Sequence, residues 1–138
     1  MAGTFKFDLV SPERVLMSLD VDEVSLPGAD GDFTVLAGHA PVVANLRPGV
    51  LNVKAERTTY RVFVKSGFAD VQPDNLTVLA KEAVEVTDLS GSRLASEIET
   101  AEAAFRDAKN DEAKRFAYAA LEELKAIAGG SSAGARGH

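Results

Sequence analysis

The chain contains neither cysteine nor tryptophan, and its histidines are His39 and His138. Without cysteine, disulfides, thiolate metal sites and cysteine nucleophiles are excluded, and the composition fits a reducing compartment. One histidine in a Gly/Pro-flanked loop and one at the last position do not supply the convergent ligands of a metal centre. His39 therefore reads as a turn or interface residue and not as a general base. Ser66-Gly67 lacks the Gly-x-Ser-x-Gly nucleophile elbow and has no ordered histidine to pair with. A Gly-x-x-x-x-Gly-Lys-Ser/Thr phosphate loop is missing as well. A net charge of −6 with no basic cluster excludes a nucleic-acid binder, which needs a positive face for phosphates. No window approaches the roughly 20 apolar residues that span a bilayer. Met1-Ala2-Gly3-Thr4-Phe5-Lys6 shows no basic segment followed by an apolar stretch, so no signal peptide is expected.

What remains is a chain of 138 residues, 46% hydrophobic, enough for one domain with an appendage. From Phe5 to about Thr87 the apolar residues recur with a period near two. Phe5, Phe7 and Leu9 alternate with Lys6 and Asp8, as in a strand with one buried face. Val15, Met17, Leu19 and Val21 repeat the pattern, and its phase flips at Val24 and Leu26. Such a flip predicts a bulge or a break near Asp22-Glu23. Pro27-Gly28-Ala29-Asp30-Gly31-Asp32 is dense in turn formers, and Phe33-Thr34-Val35-Leu36 resumes extended structure. Gly38-His39-Ala40-Pro41 and Arg47-Pro48-Gly49 punctuate next. Strands are expected at Val50–Ala55, Thr59–Lys65, Phe68–Gln72, Leu76–Lys81 and Ala83–Thr87, with a tight turn at Pro73-Asp74-Asn75. This spacing predicts an all-β antiparallel sandwich or barrel.

After Asp88 the period changes. Leu94, Ile98, Ala101, Phe105 and Ala108 form one helical stripe. Asn110 suits an N-cap, with Asp111 and Glu112 complementing the positive end of a second helix. Ala113, Phe116, Ala117, Ala120, Leu121, Leu124 and Ile127 form its apolar face, and Glu122 and Glu123 read as a solvated polar face. The short break predicts an antiparallel hairpin. The organisation expected is thus a β-sandwich domain over 1–87, a helical hairpin over 88–128 and a disordered tail over 129–138. Two thin, alanine-rich stripes need a third surface, which is either the sandwich or a partner. Asp30 and Asp32 suggest a calcium loop only superficially, because Thr34 and Leu36 stand where further ligands belong. The residues themselves also admit a free-standing sandwich that binds a small ligand or carbohydrate. Such sites show exposed aromatics, however, and tyrosine occurs here only at Tyr60 and Tyr118.

Phe7-x-Leu9-Val10-Ser11-Pro12-Glu13, Phe33-x-Val35-Leu36-x-Gly38-His39-Ala40-Pro41, Leu46-x-Pro48-Gly49, Gly67-Phe68-Ala69-Asp70-Val71 and Leu76-Thr77-Val78-Leu79-Ala80 follow one another in order. This series resembles the epsilon subunit of F-type ATP synthases (delta in mitochondria). The match runs from about Phe5 to Thr87 and more loosely to about Ile127. The resemblance implies a non-catalytic rotor subunit without a cofactor, peripheral on the cytoplasmic face of the bacterial inner membrane. Its sandwich would sit at the foot of the gamma subunit and touch the polar loops of the c-ring. Asp30, Gly31, Asp32, Gly38, His39, Ala40 and Pro41 are the expected contacts, on loops at one end of the sandwich. Rotation driven by proton flow would pass through gamma to the nucleotide sites on the alpha and beta subunits. The hairpin, with Arg93, Phe105, Phe116, Leu121 and Leu124, would be a regulatory arm that lies folded or extends along gamma to inhibit ATP hydrolysis. Nucleotide-sensing members resemble one another in Ile/Leu-Asp-x-x-Arg-Ala at the first helix. Here the stretch is Leu89-Ser90-Gly91-Ser92-Arg93-Leu94, where Arg93 fits but Ser90 and Leu94 depart, so ATP binding by this chain is not expected.

Overall fold

A computed structural model of the chain describes residues 3–130. The strands are β1 (Phe5–Val10), β2 (Val15–Val21), β3 (Glu23–Leu26), β4 (Phe33–Leu36), β5 (Val42–Leu46), β6 (Gly49–Ala55), β7 (Thr58–Val64), β8 (Gly67–Val71), β9 (Asn75–Ala80) and β10 (Ala83–Glu85). A 3-10 turn at Val86–Asp88 leads into α1 (Gly91–Asp107) and α2 (Asp111–Ala128). The expected architecture of a β-sandwich followed by a two-helix hairpin is the one observed. Of the tail expected over 129–138, residues 131–138 lie outside the described residues.

The first sheet has the order β2-β1-β9-β8-β5 and the second β10-β7-β6-β3-β4. The sheets remain separate, so the fold is a sandwich and not a barrel. It is not wholly antiparallel, because β1 and β9 run parallel, with Phe7 opposite Leu76 and Leu9 opposite Val78. Parallel neighbours need a long crossover, and here most of the sandwich supplies it. The phase flip near Asp22 is a break at which the chain leaves the first sheet and enters the second. Val21 ends β2 and Val24 lies in β3, both fully buried from opposite sides of one core. The crossing is pinned by Asp22, whose N–H donates to the Lys54 carbonyl (2.7 Å) and whose Oδ2 accepts from the Glu56 N–H (2.8 Å).

Between the sheets, Phe5, Phe7 and Leu9 meet Leu51, Val53, Val62, Val64, Leu76 and Val78. These are the inward positions of the period-two pattern. The strand Val42–Leu46 was not anticipated, since turn residues flank it and its apolar residues do not alternate. It forms because β8 offers an edge to pair with, from Val42 opposite Val71 to Leu46 opposite Gly67.

The question of which surface covers the hairpin has an internal answer. Val50, Phe63 and Val84 project from the outer face of the second sheet into a second apolar cluster with Leu89, Ala101 and Leu124. Asn110 caps α2 as its position suggests, its Oδ1 accepting from the Ala113 N–H at 2.8 Å. Two stripe residues depart from the expectation. Ala108 lies just past the end of α1 as its C-cap, and Ala113 is exposed. Glu123 also departs, since its Oε2 is sealed from solvent while Glu122 is exposed. Residue 123 adjoins the buried Leu124 and lies at the flank of the docked face, not on the solvated one.

Candidate functional site

The turn over residues 27–32 is fixed from β5 and the residue after it. Ala29 N–H donates to the Asn45 carbonyl (2.8 Å), and Arg47 N–H donates to the Pro27 carbonyl (2.9 Å). The Arg47 side chain completes the clamp, with Nη1 donating to the Gly28 carbonyl and Nη2 pairing with Asp32 Oδ1, both at 2.6 Å. A guanidinium suits this task because its planar fork serves two acceptors at once. Asp30 and Gly31 stay exposed at the tip, and Asp32 is exposed apart from that pairing.

The second expected contact, Gly38-His39-Ala40-Pro41, lies elsewhere. Gly38 N–H donates to the Pro73 carbonyl (2.8 Å), and His39 Nδ1 donates to the Ala40 carbonyl (2.8 Å). Gly38 has φ +82°, a left-handed conformation that suits glycine. Strand β4 separates this loop from the acidic turn by roughly 13 Å, at about 3.3 Å per residue. β5 confirms the polarity, because Val42 is paired next to the Pro73 turn and Leu46 next to the acidic turn. The two loops therefore occupy opposite ends of β4, not one end of the sandwich as the sequence suggested.

Between them lies a surface that the sequence reading missed. On the outer face of the first sheet, Val15 is opposite Val10, Val10 opposite Leu79, and Leu79 opposite Phe68. Val43 joins this row from β5, two residues from Asn45, which faces Phe68. Val15 is 61% exposed, Val43 67% and Phe68 40%, while Val10 and Leu79 are half-buried. The hairpin lies on the other sheet and leaves this row uncovered. A signal was present: Phe68 and Leu79 fall on the phase that Asp70 and Thr77 share, where polar residues belong.

On the hairpin, Arg93 is exposed in the first turn of α1. Phe105 lies 6.1 Å from Tyr118, centroid to centroid, with Lys114 Nζ 5.2 Å above its ring. Leu124 is fully buried, and Phe116 and Leu121 are half-buried. The expected arm residues are thus split between the docked face and the turn end of the hairpin. At the docked face Lys65 Nζ pairs with Glu97 Oε1 of α1 at 2.8 Å and Glu82 Oε1 at 3.0 Å. Burial by itself disfavours the Lys65 ammonium, but its hydrogen bonds and attraction to Glu97 and Glu82 outweigh that and raise its pKa above 10.5. Among the described residues no three His, Cys, Asp or Glu side chains gather as a metal site, and no helix is long and apolar enough to cross a membrane.

The fold is thus a β-sandwich with an exposed apolar row on its first sheet and a helical hairpin docked on its second. The family model of the ATP synthase delta/epsilon chain, beta-sandwich domain, matches residues 4–86. The chain is 47% identical over 128 residues to the ATP synthase epsilon chain of Parvibaculum lavamentivorans, covering 92% of this chain and 97% of that one. It is 45% identical over 130 residues to the epsilon chain of Mesorhizobium japonicum, covering 94% and 96%. The chain belongs to the epsilon chains of ATP synthase, non-catalytic subunits of that complex. Solved mitochondrial ATP synthases share the fold. A chain of the Euglena gracilis enzyme (OSCP/F1/c-ring) has TM-score 0.70 at 23% identity, covering 92% of this chain and 81% of that one. One from the Tetrahymena thermophila central stalk and c-ring has TM-score 0.65 at 9% identity, covering 95% and 98%.

Proposed function

We propose that this chain is a central-stalk rotor subunit that joins gamma to the c-ring, its first sheet gripping gamma and its acidic turn meeting the ring. The uncovered row Val15–Val10–Leu79–Phe68 with Val43 carries this reading. A contiguous exposed apolar surface on a small domain marks a protein interface. The loop Gly38–Pro41 borders the β5 end of this row, which favours gamma as its partner too. The turn Asp30-Gly31-Asp32 is polar, exposed and held rigid by Arg47, so it suits the polar loops of the c-ring.

In this assembly the chain catalyses nothing. It transmits torque between ring and gamma while the alpha and beta subunits carry the nucleotide chemistry. Its place is peripheral, on the cytoplasmic face of the bacterial inner membrane, reached through the complex. Residues 1–87 form the gripping domain, and residues 88–128 form an arm that docks on the second sheet or extends toward alpha and beta. Cysteine cross-linking tests the partition cleanly, because the natural chain has no cysteine of its own. In the assembled enzyme, Asp32→Cys is expected to link to the c-ring loops, and Val43→Cys and Phe68→Cys to gamma. Links from Val43→Cys and Phe68→Cys only to alpha or beta subunits would refute the assignment.

A further inference from the structure

The hairpin meets the second sheet through two unlike contacts. One is apolar and incompletely filled. A solvent-open groove of about 300 Å³ remains at the junction, lined by Phe63, Ala101, Ala104, Phe116 and Ala120, with Lys65 and Glu97 at its wall. Alanines let the helices approach but fill little of the space beside Phe63, so the apolar groups there make fewer close contacts. Such a contact favours docking without specifying it strongly.

The other contact is ionic and directional. Lys65, the residue after β7, belongs to the sandwich, whereas Glu97 belongs to α1. The Glu97 side chain is only 15% exposed, and its Oε1 is sealed from solvent with the Lys65 ammonium 2.8 Å away. A carboxylate buried to that degree depends on its counter-charge, and losing one member of such a pair strongly destabilises the arrangement. Glu82 differs, being 63% exposed and part of the sandwich. If the hairpin lifted, Glu97 would enter water and Lys65 would keep Glu82. Opening therefore leaves no charge buried without a partner, and closing needs no protonation.

We propose that Lys65 and Glu97 form a reversible ionic latch that holds the hairpin on the second sheet, with Glu82 keeping Lys65 in place while the latch is open. The inference concerns docking within this chain and does not depend on the contacts proposed for gamma or the c-ring. Three features converge on it: the pair joins the sandwich to the hairpin, its carboxylate is nearly buried, and an unfilled groove adjoins it.

Hydrogen-exchange mass spectrometry on the full chain tests it. Lys65→Met and Glu97→Gln are each expected to speed exchange across residues 91–128 by about tenfold, with β1, β7 and β9 unchanged. The swapped pair Lys65→Glu with Glu97→Lys, made together with Glu82→Gln so that residue 65 faces no second carboxylate, is expected to restore protection to within about twofold of the Glu82→Gln chain. Glu82→Gln is expected to change it little. Unaltered hairpin exchange in both single variants would overturn the latch. So would equal acceleration throughout the sandwich, which would mark general destabilisation, or failure of the swap to restore protection.

Discussion

Arg47 does with one side chain what a longer turn would need several backbone bonds to do. Its guanidinium ties the Gly28 carbonyl to the Asp32 carboxylate and so sets how the acidic turn is presented. With Asp32 mostly exposed, the ion pair itself contributes modestly to stability, and its main effect is positional. Gly67 acts through what it lacks. A Cβ there would collide with the Leu79 carbonyl oxygen and lie 2.9 Å from Leu79 C and 3.0 Å from Ala80 Cα. These are backbone atoms of a paired strand and cannot swing aside. Gly67→Ala is therefore expected to lower unfolding stability by about 2–4 kcal/mol, as overpacking at a rigid site does. Urea denaturation measures this directly, and a parental midpoint would show that β8 and β9 can separate locally at little cost.

At the scale of elements, β7 explains why the hairpin docks where it does. Val62-Phe63-Val64 is apolar on both faces, a pattern that suits a strand covered on both sides. Val62 and Val64 fill the sandwich, while Phe63 needs the hairpin. A chain ending at Ser90 is expected to keep a cooperative β-type fold, because the inter-sheet core contains no hairpin residue. It is also expected to bind an apolar dye such as anilinonaphthalene sulfonate through the uncovered Val50, Phe63 and Val84. An unfolded product would show that the hairpin is integral to the core. The pH dependence of docking follows from Lys65, whose facing charges are Glu82 and Glu97. Its pKa is raised above 10.5 in the folded chain. Its contribution is thus fully present below 10.5 and lost as pH rises through the higher folded value. Dye binding by the full chain should rise above about pH 10.5, and Lys65→Met should show no such step from this residue.

For the whole molecule, the docked hairpin and its charges bear on the regulatory arm proposed above. Along α2, Lys114, Arg115 and Lys125 oppose Asp111, Glu112, Glu122 and Glu123. An arm of slightly acidic character gains nothing from an acidic surface on a neighbour, since juxtaposed like charges at an interface are unfavourable. Docking on the second sheet also holds back any extension toward alpha and beta. Deleting the residues after Ser90 is expected to change the ATPase rate of the assembled complex by less than about threefold, a barrier change below roughly 0.7 kcal/mol. A much larger activation would mean that the hairpin leaves its sheet readily and finds a favourable seat despite its charge.

The sequence by itself determined the properties that depend on near neighbours along the chain. The period of two, the change to helical period after Asp88, the cap at Asn110 and the break at Asp22 all follow from side-chain spacing and backbone sterics. The ordered motifs from Phe7 to Ala80 likewise point to the epsilon family by themselves. Tertiary structure alone decided what depends on residues distant along the chain. Val42–Leu46 became a strand because β8 had a free edge, and Val10, Leu79 and Phe68 became one row because β1 pairs with β9 in parallel. The two loops around β4 looked contiguous in sequence, yet an extended strand carries its ends to opposite sides of a sheet. Lys65 and Glu97 came together only because α1 folds back over β7. Periodicity tells which face of an element is apolar, but the partner for that face is chosen by long-range pairing and burial.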